Sequence, residues 1–267
     1  MAELEFRNLS VKIGQRTLLD ALSLRIEPGE FVALIGPNGA GKTTLLKTAL
    51  ALCAPTTGAV LVADQPIDAL GARARAAAIA WLPQQIRADE PVTALVSVAA
   101  ARFRFREGHA ASLREAERAL QRVGAEAYAD RPITELSGGE RQRVAFACLV
   151  AQEARVLLFD EPANHLDPAQ QLDVYRLLGD LWREGRTLVC INHDVNLLHH
   201  VGANPSARVS DAARLRVVGL RAGRVAFDAP FADPRLPEHL SDLFGIATDS
   251  LQGSEQRFIV PRRRIES

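Results

Sequence analysis

One stretch constrains the fold more than any other. Phe31-Val-Ala-Leu-Ile35 is a continuous apolar run, expected for a strand buried on both faces of a parallel sheet. It runs into Gly36-Pro37-Asn38-Gly39-Ala40-Gly41-Lys42-Thr43-Thr44, and residues 43–52 then have helical composition. Strand, glycine-rich turn, Lys-Thr and helix in that order form a phosphate-binding loop in the context that such a loop requires. Glycine at 36, 39 and 41 lets successive N–H groups turn toward one phosphate chain. The helix adds its positive N-terminal end. Lys42 is expected on the β- and γ-phosphates, and the Thr43 hydroxyl on Mg²⁺.

A second apolar run, Val156-Leu-Leu-Phe159, ends in Asp160-Glu161-Pro162. Asp160 at a strand's carboxyl end is placed to hold Mg²⁺ through water. Successive strand residues face opposite ways, so Glu161 is expected to point elsewhere and to orient or deprotonate the attacking water. Leu136-Ser137-Gly138-Gly139-Glu140 opens a run with helical spacing at Val144, Ala147, Leu149 and Ala151. Ser137 is a good N-cap, and Ser137 with Glu140 has capping-box spacing. The bare glycine pair leaves that helix end open to a second anion. Two anion sites suit one nucleotide if each face of the chain supplies half a site to another copy.

Composition narrows the partners. The 267 residues carry 32 basic and 32 acidic side chains. Zero net charge argues against a nucleic-acid binder, which needs a phosphate-neutralising excess. The longest uncharged stretch, 48–63, is broken by Pro55 and Gly58 and is too short to span a bilayer. The N-terminus lacks the basic and apolar regions of a signal peptide. Cys53, Cys148 and Cys190 are scattered within apolar runs, suiting small core residues in a reducing compartment.

Elsewhere, strands are expected at 4–13, at Leu22, Leu24 and Ile26, at 59–63, at 79–82 and at 188–191, with a late hairpin around Arg221-Ala-Gly223. Residues 85–135 are Ala-, Arg- and Glu-rich, with helical spacing at Leu113, Ala116, Leu120 and Val123. Buried strands alternating with helices define an α/β protein. Residues beyond 250 are polar and read as a tail containing Arg262-Arg263-Arg264.

These motifs, in this order, resemble the ATP-binding subunits of ABC transporters over residues 4–245. Leu136-Ser-Gly-Gly-Glu140 is similar to the family signature, Gln84 to the Q-loop glutamine, Asn164-His-Leu-Asp167 to the D-loop and His193 to the switch histidine. The resemblance implies a P-loop NTPase (RecA-like) core with a mainly parallel sheet, N-terminal antiparallel strands and an inserted helical subdomain. Within one domain, 1–267, the core would take 1–84 and 150–245, the helical part 85–149 and the tail 246–267. It implies ATP and Mg²⁺ as cofactors, held between two subunits packed head to tail, with each P-loop facing the partner's Ser137, Gly138 and Gly139. Gln84 would reach Mg²⁺, the water and a membrane partner. His193 would hold the γ-phosphate and the water, and Asp167 would bridge the dimer. The partners implied are integral membrane permease subunits and, indirectly, a substrate-binding protein. The place implied is the cytoplasmic face of the membrane.

Leu82-Pro83-Gln84, residues 91–96, the Asn164–Asp167 segment, His193-Asp-Val-Asn-Leu197 and Phe244-Gly245 resemble importers of iron–siderophore, haem or cobalamin type. An exporter subunit and a soluble ATPase unlinked to transport are the alternatives. Three positions depart from the family: Ile13 where an aromatic stacks on adenine, Ala163 where Thr is common, and a long polar segment at 202–214. With Ile13, nucleotide is expected to be held by its triphosphate, with weak choice between ATP and GTP. Phe6 or the partner subunit could supply a base contact instead.

Overall fold

The computed structural model describes residues 1–86, 89–164, 166–201, 214–252 and 257–262. The segment at 202–213, His165, Arg263 and Arg264 therefore lie outside the described residues.

The all-apolar runs became the centre of the molecule. β3 (Phe31–Ile35), β7 (Val156–Asp160) and β8 (Thr187–Ile191) are buried at every residue. With β6 (Ile79–Leu82) and β9 (Leu215–Arg221) they form a parallel sheet, edged by antiparallel β10 (Arg224–Pro230), in the order β10-β9-β3-β8-β7-β6. Strand alternation splits these residues between two cores. Phe31, Ala33, Leu157, Phe159, Leu188 and Cys190 face one, while Val32, Leu34, Val156, Leu158, Val189 and Ile191 face the other.

The second core is closed by an antiparallel sheet, β2-β1-β4-β5. β1 (Leu4–Ile13) pairs with β2 (Arg16–Ile26) through a tight turn at Gly14-Gln15, and β4 is Thr57–Val62 and β5 Gln65–Pro66. The phosphate loop leads into α1 (Lys42–Ala49), and α2 (Ala72–Ala78) precedes β6. Between β6 and β7 lie α3 (Ala94–Ala100), α4 (His109–Arg122) and α5 (Gly138–Gln152), which bury a cluster of their own around Val98, Leu120, Leu136 and Val144. α6 (Pro168–Arg183) and α7 (Leu236–Phe244) cover the first core, and α7 ends at Gly245 in the left-handed conformation that favours glycine.

The polar tail is not a free tail. β11 (Thr248–Gln252) and β12 (Arg257–Pro261) form an antiparallel hairpin, and Ile259 is buried in the first core. Arg262 pairs with Asp249 at 3.2 Å. The polar tail expected from 246 onward thus contains two paired strands, which the sequence did not announce: two strands of five residues with one apolar anchor carry little periodic signal. All three cysteines are free of disulfides; Cys190 is buried, and Cys53 and Cys148 are half-buried.

Candidate functional site

All the strands that carry motif residues end on one side of the parallel sheet, where α/β proteins place ligands. β3 delivers the phosphate loop, β6 Gln84, β7 Asp160 and Glu161, and β8 Asn192 and His193.

The loop's shape is forced from behind. Gly36 has φ +148°, and a Cβ there would lie 2.1 Å from the Leu220 carbonyl oxygen. Gly41 has φ +101°, and its Cβ would lie 2.7 Å from the Leu18 carbonyl oxygen. β9 and β2 thus press the loop forward, and only glycine fits at these points. The first amides of α1 have no partner further back in the helix. A cavity of about 220 Å³ is lined by Arg16, Leu18, residues 38–44 and Glu161. The Lys42 ammonium is buried and donates to the carbonyl oxygens of Gly36 (2.7 Å) and Pro37 (3.2 Å). Burial lowers its pKa, against the opposing pull of Glu161 and Asp160.

Asp160 is 2% exposed, and burial raises its pKa although the Thr43 hydroxyl donates to Oδ1 at 3.3 Å. A buried lysine and a buried carboxylate both pushed toward neutrality fit a triphosphate and a divalent cation, which would favour their charged forms. The donor set therefore suits MgATP.

Glu161 is the hub. Its φ of +54° is unusual for a residue with a side chain, so the left-handed turn after β7, rather than strand alternation, sets its direction. Its Oε2 accepts from Gln84 Nε2 at 2.6 Å and Asn164 Nδ2 at 2.9 Å, and its Oε1 lies 2.5 Å from His193 Nε2. Gln84 thus meets Glu161 and not the Thr43–Asp160 pair. Glu161 lines the phosphate-loop cavity and also the neighbouring cavities beside His193 and beside Gly138 and Gly139.

Ser137, Gly138 and Gly139 do not reach the phosphate loop's cavity within one chain. Ser137 Oγ accepts from the Glu140 amide, and Glu140 Oε2 accepts from the Ser137 amide at 2.8 Å, a complete capping box. The glycines instead line a separate cavity of about 210 Å³ with Gln84, Glu161 and Asn164. Asp167 caps α6, its Oδ1 accepting from the Gln170 amide at 2.9 Å.

Three contributors went unread in the sequence. The Asn164 amide holds Glu161, Gln142 Nε2 donates to the Pro162 carbonyl and ties α5 to the turn beside Glu161, and Arg16 lines the loop cavity. Asn164 belongs to the D-loop-like segment Asn164–Asp167; the other two depend on which elements meet. Phe6 is 1% exposed in the second core and cannot reach a base, whereas Ile13 is 64% exposed.

A strand–glycine loop–helix cradle beside a buried carboxylate and a hydrogen-bonded glutamate defines a P-loop nucleotide-hydrolysing protein. The ABC transporter family model matches residues 19–164, and the chain belongs to that family as an ATP-binding cassette ATPase. It is 34% identical over 251 residues to the iron(3+)-hydroxamate import ATP-binding protein FhuC of Bacillus subtilis (strain 168), covering 92% of this chain and 89% of that protein. It is 36% identical over 260 residues to the hemin import ATP-binding protein HmuV of Bordetella pertussis, covering 93% and 94%. Its fold matches the dimeric, post-hydrolysis ATP-binding cassette MJ0796 bound to ADP and Pi, with TM-score 0.74 and 27% identity over 86% of this chain and 99% of that one.

Proposed function

We propose that this chain is the ATP-hydrolysing, energy-coupling subunit of an ABC importer for an iron–siderophore, haem or cobalamin type substrate. The observation that carries the reading is Glu161, held by Gln84, Asn164 and His193 at the rim of the phosphate-loop cavity. The relatives' names, hydroxamate and hemin import, support the substrate class. The single unit spans core residues 1–84 and 150–245 with a helical part at 85–149.

ATP, when bound, supplies the γ-phosphoryl group, and Mg²⁺ offsets its charge during transfer to water. Residues 36–44 bind the phosphates through backbone amides and Lys42. Thr43 and Asp160 would hold the cation. Glu161 takes the proton of the attacking water, and His193, Gln84 and Asn164 fix its orientation. Two copies pack head to tail, because Ser137, Gly138 and Gly139 lie apart from their own phosphate loop and present an open helix end. No helix among the described residues is long and apolar enough to cross a membrane. Membrane attachment comes through permease subunits on the inner face, with a substrate-binding protein beyond them.

Growth tests this directly. A host lacking the chain should lose growth on ferric hydroxamate, haem or cobalamin as the limiting nutrient, and Lys42→Ala should not restore it. Undiminished growth on all three would overturn the importer reading.

The exposed Ile13 yields a second expectation. Base–aromatic stacking is worth ~1–3 kcal/mol in nucleic-acid-binding proteins. Isoleucine has no π-face, and Phe6 is buried. Wild-type dissociation constants for ATP and GTP should therefore be similar, and Ile13→Tyr should tighten ATP. A wild type that already prefers ATP strongly, unchanged by the substitution, would contradict this.

A further inference from the structure

His193 sits on a short turn between Asn192, just past β8, and a segment whose Val195 and Leu198 are buried in the first core. Its side chain is half exposed, so packing does not fix it over Glu161, and its place depends on its backbone. On one side Asn192 folds over the turn, accepting from the Asp194 amide at 3.0 Å and donating to the Asp194 carbonyl at 2.8 Å. On the other side Val195–His200 is a six-residue 3₁₀ segment. Such runs seldom exceed three or four residues, because their hydrogen-bond geometry is poor. A segment of this kind needs support from outside itself.

Val195 and Leu198 give the segment apolar support in the first core, and the paired strands β11 and β12 add the polar contacts. Asn196 Nδ2 donates to the Ile259 carbonyl at 3.0 Å, and Asn196 Oδ1 accepts from the Ile259 amide at 2.9 Å. One side chain thus satisfies both backbone groups that Ile259 turns away from β11, as a neighbouring strand would. A two-stranded hairpin alone is marginal in water, so each element steadies the other. At the far end of the segment the His199 ring lies 4.9 Å from Phe231 and 5.7 Å from Phe258. The hairpin's other strand is fixed to α7: the Thr248 amide donates to Ser241 Oγ at 2.9 Å, and Thr248 Oγ1 donates to the Pro237 carbonyl at 2.5 Å. The hairpin therefore spans from α7 to the segment that begins two residues after His193.

We infer that Asn196 is a positioning residue, and that the paired strands Thr248–Gln252 and Arg257–Pro261 act through it to hold His193 on Glu161. This rests on the reading of His193 proposed above. The reach is short: hairpin to Asn196, Asn196 to the Asp194 turn, whose Oδ1 accepts the Asn196 amide at 2.9 Å, and that turn to His193.

Steady-state ATP hydrolysis by the full chain tests it with His193→Ala, Asn196→Ala, their double variant and Phe258→Ala. Misplacing a catalytic group by about 1 Å can cost ~10²-fold, so kcat for Asn196→Ala should fall roughly 10- to 100-fold with KM for ATP unchanged. In the His193→Ala background the same change should add nothing, because both act through one contact. Phe258→Ala should lower kcat in the same direction. Its ring is 41% exposed, so it carries the test if Asn196→Ala fails to fold. Wild-type kcat in both Asn196→Ala and Phe258→Ala, losses that multiply in the double variant, or a loss confined to KM would each overturn the inference while leaving His193 in its role. Normal turnover by His193→Ala would overturn that role, and the inference with it.

Discussion

Glu161→Gln should bind MgATP and hydrolyse it ~10²–10⁴-fold more slowly than wild type, the usual contribution of a positioned base. Glutamine keeps the shape and, with its oxygen in the place of Oε2, an acceptor for the Gln84 and Asn164 amides, but it cannot take a proton. The contacts made to Glu161 by Gln84, Asn164 and His193 explain why removing one carboxylate oxygen has so large an effect. Those donors orient a carboxylate, and an amide in its place must turn an NH₂ toward at least one of them. Bound ATP should then persist and hold two copies together. Single-turnover hydrolysis and gel filtration with MgATP read both effects. Near-normal turnover by a folded variant would remove Glu161 from this role.

Lys42 and Ser137 should fail in different ways. Lys42 is buried with its ammonium on the Gly36 and Pro37 carbonyls, within the loop itself. Lys42→Ala removes a charge-assisted donor, worth ~1.5–3 kcal/mol, so ATP affinity should fall about 10- to 100-fold in the isolated chain. Ser137 lies outside that cavity, so Ser137→Arg should leave the isolated chain's affinity intact. The added bulk should instead block the face offered to a second copy and abolish ATP-dependent dimerisation. Calorimetric titration of each variant, followed by gel filtration, separates the two. Equal affinity losses would show that both residues serve one intrachain site.

Much of this was legible because a doubly buried strand leaves no polar residues until it stops. Phe31–Ile35, Val156–Phe159 and Leu188–Ile191 each end abruptly in the polar residues of the site. The loop glycines were legible from their spacing between strand and Lys42, and the structure adds the reason at 36 and 41, where Leu220 and Leu18 leave no room for a Cβ. What was not legible depends on tertiary contact. The β11–β12 hairpin is held by Asn196, Ser241 and one buried isoleucine, and nothing in residues 248–261 announces those partners. Strand alternation anticipated that Glu161 would diverge from Asp160, but the cause is a left-handed backbone at 161. Arg16 enters the loop cavity because the β1–β2 hairpin sets it opposite Ile13, a register that composition does not reveal.

We propose that two copies share each hydrolytic site, one giving its phosphate loop and the other its Ser137 face. A mixed dimer tests it most directly. One copy carries Lys42→Ala, the other Ser137→Arg, and both carry Glu161→Gln to retain nucleotide. Head-to-tail packing puts the two defects at one site and leaves the other with an intact loop facing an intact Ser137 face. One ATP should be retained per mixed dimer, on the copy with intact Lys42, while either variant alone should form no ATP-retaining dimer. A mixed dimer that retains no ATP would contradict the shared site.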